Sequence, residues 1–176
     1  MSLLALYNGE NQKMTSALNS KNRFLAGTKN LETIADRIVA NERLTKLLTR
    51  YNIDVLSDDK PVTSKERAEM ITRVRTVPVL PKEEESGAFI IINMGSITPM
   101  TTGLSYNITF DILCNTDVWK LSDYTPRPYY IMNEIDDMFN DTKMRGIGPT
   151  SFIGAAPIKV NEKMLGYTML FNVGDI

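Results

Sequence analysis

The chain has 176 residues, enough for one globular domain with a short appendage. Hydrophobic residues make up 43% and charged residues 23%, and 20 basic side chains nearly balance 21 acidic ones, which gives a formal net charge of -1. This balance excludes a strong general attraction to nucleic acid or to an anionic membrane surface.

Histidine is absent, and Cys114 is the single cysteine. The chain therefore lacks the commonest general base, the Ser-His and Cys-His nucleophile pairs, and the ligands of most zinc sites. A single cysteine permits neither an intrachain disulfide nor a CxxC metal knuckle. The sequence also contains no GxGxxG or GxxxxGK[ST] phosphate-binding motif. We expect a protein that is not an enzyme and that uses no cofactor and no bound metal.

The first 28 residues are polar and show no sustained helical or strand period. A short apolar run at their start has no basic segment before it and no cleavage site after it, so we expect no signal peptide and synthesis in a reducing cytosol. We predict an extended arm over residues 1–28 that gains order against a partner, although a tail without a role stays open. The candidate docking side chains of this arm are Leu3, Leu4, Leu6 and Tyr7.

Two helices are predicted next. Apolar residues at 3.6-residue spacing predict one amphipathic helix over residues 31–51, with Asn30 as its N-cap. Thr63 and Glu66 have the spacing of a capping box, which predicts a short helix ending at about Thr72.

The following segments alternate between loops and strands. Residues 73–81 are predicted to be extended, and Pro78 and Pro81 exclude them from a central strand. Residues 82–87 form a charged surface loop. Residues 88–94 predict a buried strand, residues 95–103 a turn-rich connection, and the alternation from Tyr106 to Cys114 a half-buried strand.

The last part of the chain predicts a helix and a hairpin. The helix starts at Thr125-Pro126 and ends near Asn140-Asp141, with an apolar stripe that consists of Ile131, Ile135, Met138 and Phe139. Two closing strands cover residues 151–160 and 164–175. The element order indicates one α+β domain over residues 29–176, with a mainly antiparallel sheet of about four strands packed with two main helices.

Three acidic residues of the predicted C-terminal helix share one face, because Glu134, Asp137 and Asp141 are spaced i, i+3 and i+7. Such a set could bind Mg²⁺ and support phosphoryl transfer, so a metal-dependent nuclease or phosphotransferase is one alternative function. The interpretation that we favour is the solvated side of a helix whose other side faces the core.

Two further groups of residues are assigned to packing. Cys114 lies on an apolar strand, which predicts a buried thiol rather than a nucleophile. An aromatic group surrounds the link between the second strand and the C-terminal helix, and we expect it to pack in the core: Trp119, Tyr124, Tyr129 and Tyr130.

Three stretches resemble the neck and tail-completion proteins of tailed bacteriophages, the tail terminators and tail-to-head joining proteins. They are residues 30–51, residues 117–140, and residues 160–163 with Gly166-Tyr167. Together with the element order, the resemblance covers roughly residues 30–176. The 28-residue arm departs from the compact members of this family, so a tail terminator and a neighbouring neck ring both stay open.

The resemblance implies a tail-terminator-like fold and a non-enzymatic subunit of a usually hexameric ring at the neck or tail junction of the virion. The implied partners are further copies of the chain, the adjacent neck or connector proteins, and the tail tube or sheath. DNA would pass through the ring without specific binding, and synthesis would take place in the host cytoplasm. A small soluble adaptor or inhibitor protein remains a further alternative.

A DNA conduit should not hold phosphates, since each Lys or Arg contact adds affinity. Acidic surfaces would suit its lumen. The candidate channel-lining residues are Glu83, Glu84, Glu85, Glu134, Asp137 and Asp141.

Overall fold

The computed structural model describes residues 23–82, 84–99, 104–144 and 148–173. The helices of these ranges are α1 (Arg23–Ala40), α2 (Glu42–Thr49), α3 (Ser64–Arg73) and α4 (Arg127–Phe139), with a 3-10 turn at Thr116–Val118. The strands are β1 (Val74–Arg75), β2 (Ala88–Pro99), β3 (Leu104–Asn115), β4 (Lys143–Met144), β5 (Gly148–Lys159) and β6 (Met164–Val173). In these ranges no helix combines the length and the apolar character that a membrane span requires.

The strands form one sheet in the order β1-β2-β3-β6-β5-β4. Adjacent strands of this sheet are antiparallel, except that β1 runs parallel to β2. The predicted α+β class with a mainly antiparallel sheet is therefore confirmed. The four long strands are those that the sequence predicted, and the two-residue strands β1 and β4 extend the sheet at its opposite edges.

The helices cover one face of the sheet, and the strand alternation predicts which side chains lie there. Ile108, Phe110 and Ile112 of β3, and Met169 and Phe171 of β6, are buried in the core between sheet and helices. The opposite face carries a hydrogen-bonded polar ladder in its middle. There the Asp111 carboxylate accepts from Asn93 Nδ2 at 3.0 Å and from Thr168 Oγ1 at 2.6 Å.

The single helix predicted over residues 31–51 is wrong, because two helices meet at Asn41. This residue has an extended backbone, and its Oδ1 accepts a hydrogen bond from the Leu44 amide at 2.9 Å, as the N-cap of α2. Asparagine competes for backbone hydrogen bonds in this way and so interrupts a helix whose apolar period continues. The predicted N-cap Asn30 lies inside α1 instead, where its buried Nδ2 donates to the Tyr106 hydroxyl at 2.6 Å.

The predicted turn at residues 95–103 is wrong in its first half. Strand β2 continues to Pro99, and a register shift between Met94 and Ile97 absorbs the residues Gly95 and Ser96. Cross-strand pairing with β3 thus outweighs the low strand propensity of glycine and serine. Residues 100–103 lie outside the described ranges.

The capping box of α3 is confirmed and belongs to a larger ion-pair group. The Thr63 hydroxyl accepts from the Glu66 amide, and the Thr63 amide donates to the Glu66 carboxylate at 2.7 Å. Arg50 Nε also lies 2.6 Å from Glu66 Oε1. The hydrogen bonds from Arg50 and from the Thr63 amide hold the pKa of Glu66 at about 2, below its ordinary 4.5.

This depressed pKa predicts an acid-sensitive contribution to stability. The contribution is present above pH 4.5 and is lost as the pH falls towards 2, because the folded state binds the proton less readily than the unfolded chain. We expect Glu66→Gln to lower the free energy of unfolding by about 2 kcal/mol at pH 7, and by much less at pH 3. Urea denaturation at both pH values, with the exposed Glu162→Gln as control, measures this difference. An equal loss at both pH values would contradict the assignment.

Candidate interaction surfaces

The three acidic residues predicted to share a face of the C-terminal helix do not converge. Glu134 is buried, and its Oε1 lies 3.0 Å from Arg43 Nη1 of α2. Asp137 is exposed and accepts a hydrogen bond from Asn133 Nδ2 at 3.0 Å. Asp141 is also exposed but lies beyond the end of α4, at a φ of +50°. Within the described ranges no group of three acidic or cysteine side chains could hold a metal ion.

Negative charge nevertheless gathers at the C-terminal end of α4. We call Asp136, Asp137 and Asp141 the acidic patch. Burial and the charges of the two neighbouring aspartates raise the pKa of the half-buried Asp136 above its ordinary value. The patch lies where the helix dipole is itself negative, so its potential repels anions such as phosphate.

The acidic loop before β2 is partly structural. Glu84 is exposed, whereas the Glu85 carboxylate lies 2.5 Å from Arg75 Nη2. Burial opposes ionisation of Glu85, but the hydrogen bonds from the Lys82 amide and from Arg75 outweigh it and lower its pKa. Glu83 lies outside the described residues. Of the loop acids in the described ranges, Glu84 therefore stays exposed to solvent, and Glu85 anchors the chain.

The arm residues Leu3, Leu4, Leu6 and Tyr7 also lie outside the described residues. Cys114 is fully buried, as predicted, and desolvation raises its pKa to about 12, so its thiol is not a nucleophile.

The aromatic group around the start of α4 is divided between the core and the surface. Trp119 and Tyr130 pack against the core, and the Tyr129 ring contacts that of Tyr167, with centroids 5.2 Å apart. The prediction of core packing is wrong for Tyr129, which is 45% exposed, and for Tyr124, which is 85% exposed. Tyr124 lies in a turn at a φ of +64° that points the side chain away from the core.

One apolar surface that the sequence analysis did not single out follows β1. We call residues 77–80, Val-Pro-Val-Leu, the apolar knob. Its Val77, Val79 and Leu80 side chains are 60, 56 and 50% exposed. Arg75 anchors this segment. Its Nη1 donates to the Val79 carbonyl at 3.1 Å, and its Nη2 donates to the Glu85 carboxylate.

A second apolar surface lies at the other side of the sheet. We call residues 152–159 the β5 edge. Strand β5 pairs with β6 along its length, but β4 covers only Gly148 and Pro149 on its outer side. Phe152 and Ile153 are 39 and 54% exposed, and Ala155 to Pro157 are exposed as well. Isolated apolar residues are normal on a surface, whereas an exposed edge with several apolar residues in a row is a candidate interaction site.

The two apolar surfaces lie far apart. The strand order places β1 four strand positions from β5, which corresponds to about 19 Å at the usual spacing of 4.8 Å. Each apolar surface can be recognised in the sequence. The knob contains two prolines in an apolar run, and the β5 edge contains the uncharged series Phe-Ile-Gly-Ala-Ala-Pro-Ile. The periodicity could not show which of these residues the fold leaves uncovered.

Comparison with known proteins places this arrangement in a family. A family model described as YomW matches residues 41–173. The match begins at the N-cap of α2 and continues to the end of β6, so it includes the complete sheet, both apolar surfaces and the acidic patch. A search of curated proteins finds no match.

Proposed function

The chain belongs to the YomW family, and from this membership we propose that it is a structural subunit of a tailed-phage particle. The family name is phage-derived and indicates a phage-associated protein. We propose further that the subunit forms a ring at the neck or tail junction, as a tail terminator or a tail-to-head joining protein, and that it has no enzymatic activity.

The observation that carries this proposal is the pair of unlike apolar surfaces on opposite edges of one sheet. A closed ring needs two different surfaces on each subunit, because each copy contacts the next through a heterologous interface. The apolar knob is an exposed four-residue segment outside any helix or strand, whereas the β5 edge belongs to a 12-residue strand. A twofold dimer would need only one self-complementary surface and would leave the other in water.

The proposed ring would have protein partners on both sides and DNA in its lumen. A ring of about six copies would contact the connector on one side and the tail tube or sheath on the other, with Leu3, Leu4, Leu6 and Tyr7 of the arm as docking residues. DNA would pass through the lumen without specific binding. The net charge of -1 and the acidic patch support this, since neither would retain phosphates.

Purified virions test the proposal. We expect the protein in the particle at a fixed copy number, and class averages of the isolated assembly by electron microscopy to show a ring with a central channel. Deleting its gene should leave heads and tails unjoined or tails of irregular length. Absence of the protein from purified virions, or normal particles without the gene, would overturn the proposal.

The acidic patch gives a separate prediction about the lumen. We expect Asp137→Lys to fold and enter particles normally but to lower infectivity at least tenfold, because a ring of added cations would hold the passing DNA. Plaque counts per assembled particle and the extent of DNA ejection measure the effect. The matched control is Glu32→Lys, which reverses an exposed charge on α1. Normal ejection by the Asp137 variant would show that the acidic patch does not line the channel.

A further inference from the structure

We propose that α1 is an exchangeable helix, which leaves the sheet of its own copy by straightening at Asn41 and takes the same place on a second copy of this chain. We call the surface of β1, β2 and α3 that α1 contacts the α1 groove. The exchange concerns self-association of the free protein, and it does not depend on the proposed place of the chain in a phage particle.

The connection between α1 and α2 is a single residue, Asn41, which is also where the match to the family begins. Asn41 has a ψ of 116°, whereas a residue inside a helix has about −42°. Its side chain holds this bend, since Oδ1 accepts from the Leu44 amide at 2.9 Å and Nδ2 donates to Met138 Sδ at 3.2 Å. Because the bend is confined to one residue, rotation there would join α1 and α2 into a continuous helix of about 40 Å.

The sequence pattern suits the straight form as well as the bent one. The apolar 3.6-residue period runs from Leu31 to Leu48 without a shift at Asn41, and for this reason the sequence predicts one helix there. Residues 28–49 contain no glycine or proline that would stop a helix. The chain thus has two helical arrangements available, and the cap that Asn41 forms favours the bent one.

Polar contacts fix α2 more firmly than α1. Arg127 donates to main-chain carbonyls at the end of α2, and Arg43 Nη1 of α2 lies 3.0 Å from Glu134 Oε1 of α4. Among the described residues, the ion pairs all join residues outside α1. The charge contact of α1 with another element is that of Arg37, whose guanidinium carbon lies 5.9 Å from the centre of the Phe139 ring. Straightening at the hinge therefore carries α1 away from the sheet and leaves α2 in place.

The structure itself shows what fits the α1 groove, namely a helix with the sequence of α1. Ile34 and Ile38 are 1 and 0% exposed, and Asn30 Nδ2 donates to the buried Tyr106 hydroxyl at 2.6 Å. When α1 leaves, its apolar side chains and the groove are both exposed to water, and α1 of a second copy restores their burial by making the same contacts. The exchange therefore needs no new complementary surface, which makes it a low-cost route to association. In a closed set of copies every groove is filled again.

Mixed cysteine variants test the exchange. A Cβ atom added at Gly27 of α1 would lie 2.9 Å from Met94 Sδ of β2, so cysteines at these two positions are neighbours across the groove. We expect Gly27→Cys chains and Met94→Cys chains, unfolded and refolded together in reductant at high concentration, to give on mild oxidation a heterodimer with a 27–94 disulfide. A closed monomer of either variant has only one of the two thiols and cannot form this bond.

Two controls accompany this mixture. The single chain that carries both Gly27→Cys and Met94→Cys should form the disulfide within itself, which shows that the pair can bond. A mixture of Gly27→Cys with Glu162→Cys, which places the second thiol at an exposed position, should give no heterodimer above the level of chance oxidation. Mass spectrometry of the linked peptides identifies the bond in each case.

Variants of Asn41 connect the exchange to the hinge. Asn41→Ala removes the cap of α2 and favours a continuous helix, so we expect it to raise the exchanged fraction about tenfold. Asn41→Asp is the matched control, because its carboxylate keeps the cap, and its exchanged fraction should not exceed that of the wild type. The heterodimer yield measures the exchange, and sedimentation velocity of chains without added cysteines measures the association independently of the thiols.

A 27–94 heterodimer whose yield rises from Asn41→Asp to Asn41→Ala supports the exchange. If Asn41→Ala stays monomeric in sedimentation, the hinge does not release α1, and the exchange is wrong. If Asn41→Ala associates without a 27–94 heterodimer, although the doubly substituted single chain forms its disulfide, another surface joins the copies, and the exchange is also wrong. None of these outcomes decides the proposed function, which the presence of the protein in purified virions tests separately.

Discussion

Replacing Arg127 by methionine should lower the free energy of unfolding by about 4 kcal/mol or more, a large share of the stability of a domain of this size. The Arg127 side chain is 1% exposed and donates to four main-chain carbonyls. Its Nη1 binds the carbonyls of Leu47 and Arg50 at 2.7 and 2.8 Å. The remaining two bonds, to Val118 and Asn52, measure 2.8 and 3.1 Å. Methionine fills part of the volume but leaves four carbonyls without their donor, three of them at or just after the end of α2 and one in the 3-10 turn.

Two variants make this prediction specific. Arg127→Lys keeps a charge but cannot reach four carbonyls with one compact ammonium group, so we expect a loss almost as large as that of methionine. Arg67→Met removes an exposed arginine from α3 and should change stability by less than about 0.5 kcal/mol. Urea denaturation followed by circular dichroism gives all three values. A methionine variant within 1 kcal/mol of wild type would mean that water replaces the guanidinium, contrary to the buried geometry.

Gly166→Ala should destabilise the protein by about 3 kcal/mol or more. Gly166 lies in β6 between Leu113 of β3 and Ile158 of β5. An added Cβ atom would lie 1.7 Å from the Ile112 carbonyl oxygen and 3.1 Å from the Leu113 Cα atom. These are main-chain atoms of the central strand, so β6 would have to move away from β3 and weaken the pairing on both sides.

The same sheet provides the control for this prediction. Gly154→Ala adds the same methyl group at a position where it meets nothing within 4 Å, so its effect should stay within about 0.5 kcal/mol and should be slightly stabilising. Thermal unfolding of the two variants measures the difference. Equal effects at positions 154 and 166 would contradict the close approach of β3 and β6.

The fold class and the alternating strands could be predicted because they depend on local chemistry. The apolar residues of β3 and β6 have a period of two, and Thr63 with Glu66 supplies a capping box that needs no distant partner. The break at Asn41 could not be read in the same way, because the apolar period continues through it and only the cap geometry separates α1 from α2.

The candidate surfaces were harder to predict because they depend on non-local contacts. Glu134 belongs to an acidic helix in sequence, but Arg43 from another helix pairs with it in the fold. Arg127 would be expected at the surface of a helix start, and its burial follows only from the carbonyls that α2 and the 3-10 turn bring to it. The exposure of the β5 edge also depends on a non-local contact, because β4 pairs with only the first two residues of β5.

Pro157 has a consequence for the free protein. An uncovered strand in a concentrated pool of identical chains invites the growth of cross-β fibrils. Pro157 lies on β5, the outermost long strand of the sheet, at a position whose main chain faces away from β6. Because proline has no amide hydrogen, this edge lacks one of the hydrogen-bond donors that each further strand of a fibril would need. If the chain is a structural subunit, as proposed, we expect this residue to keep the free copies dispersed before assembly.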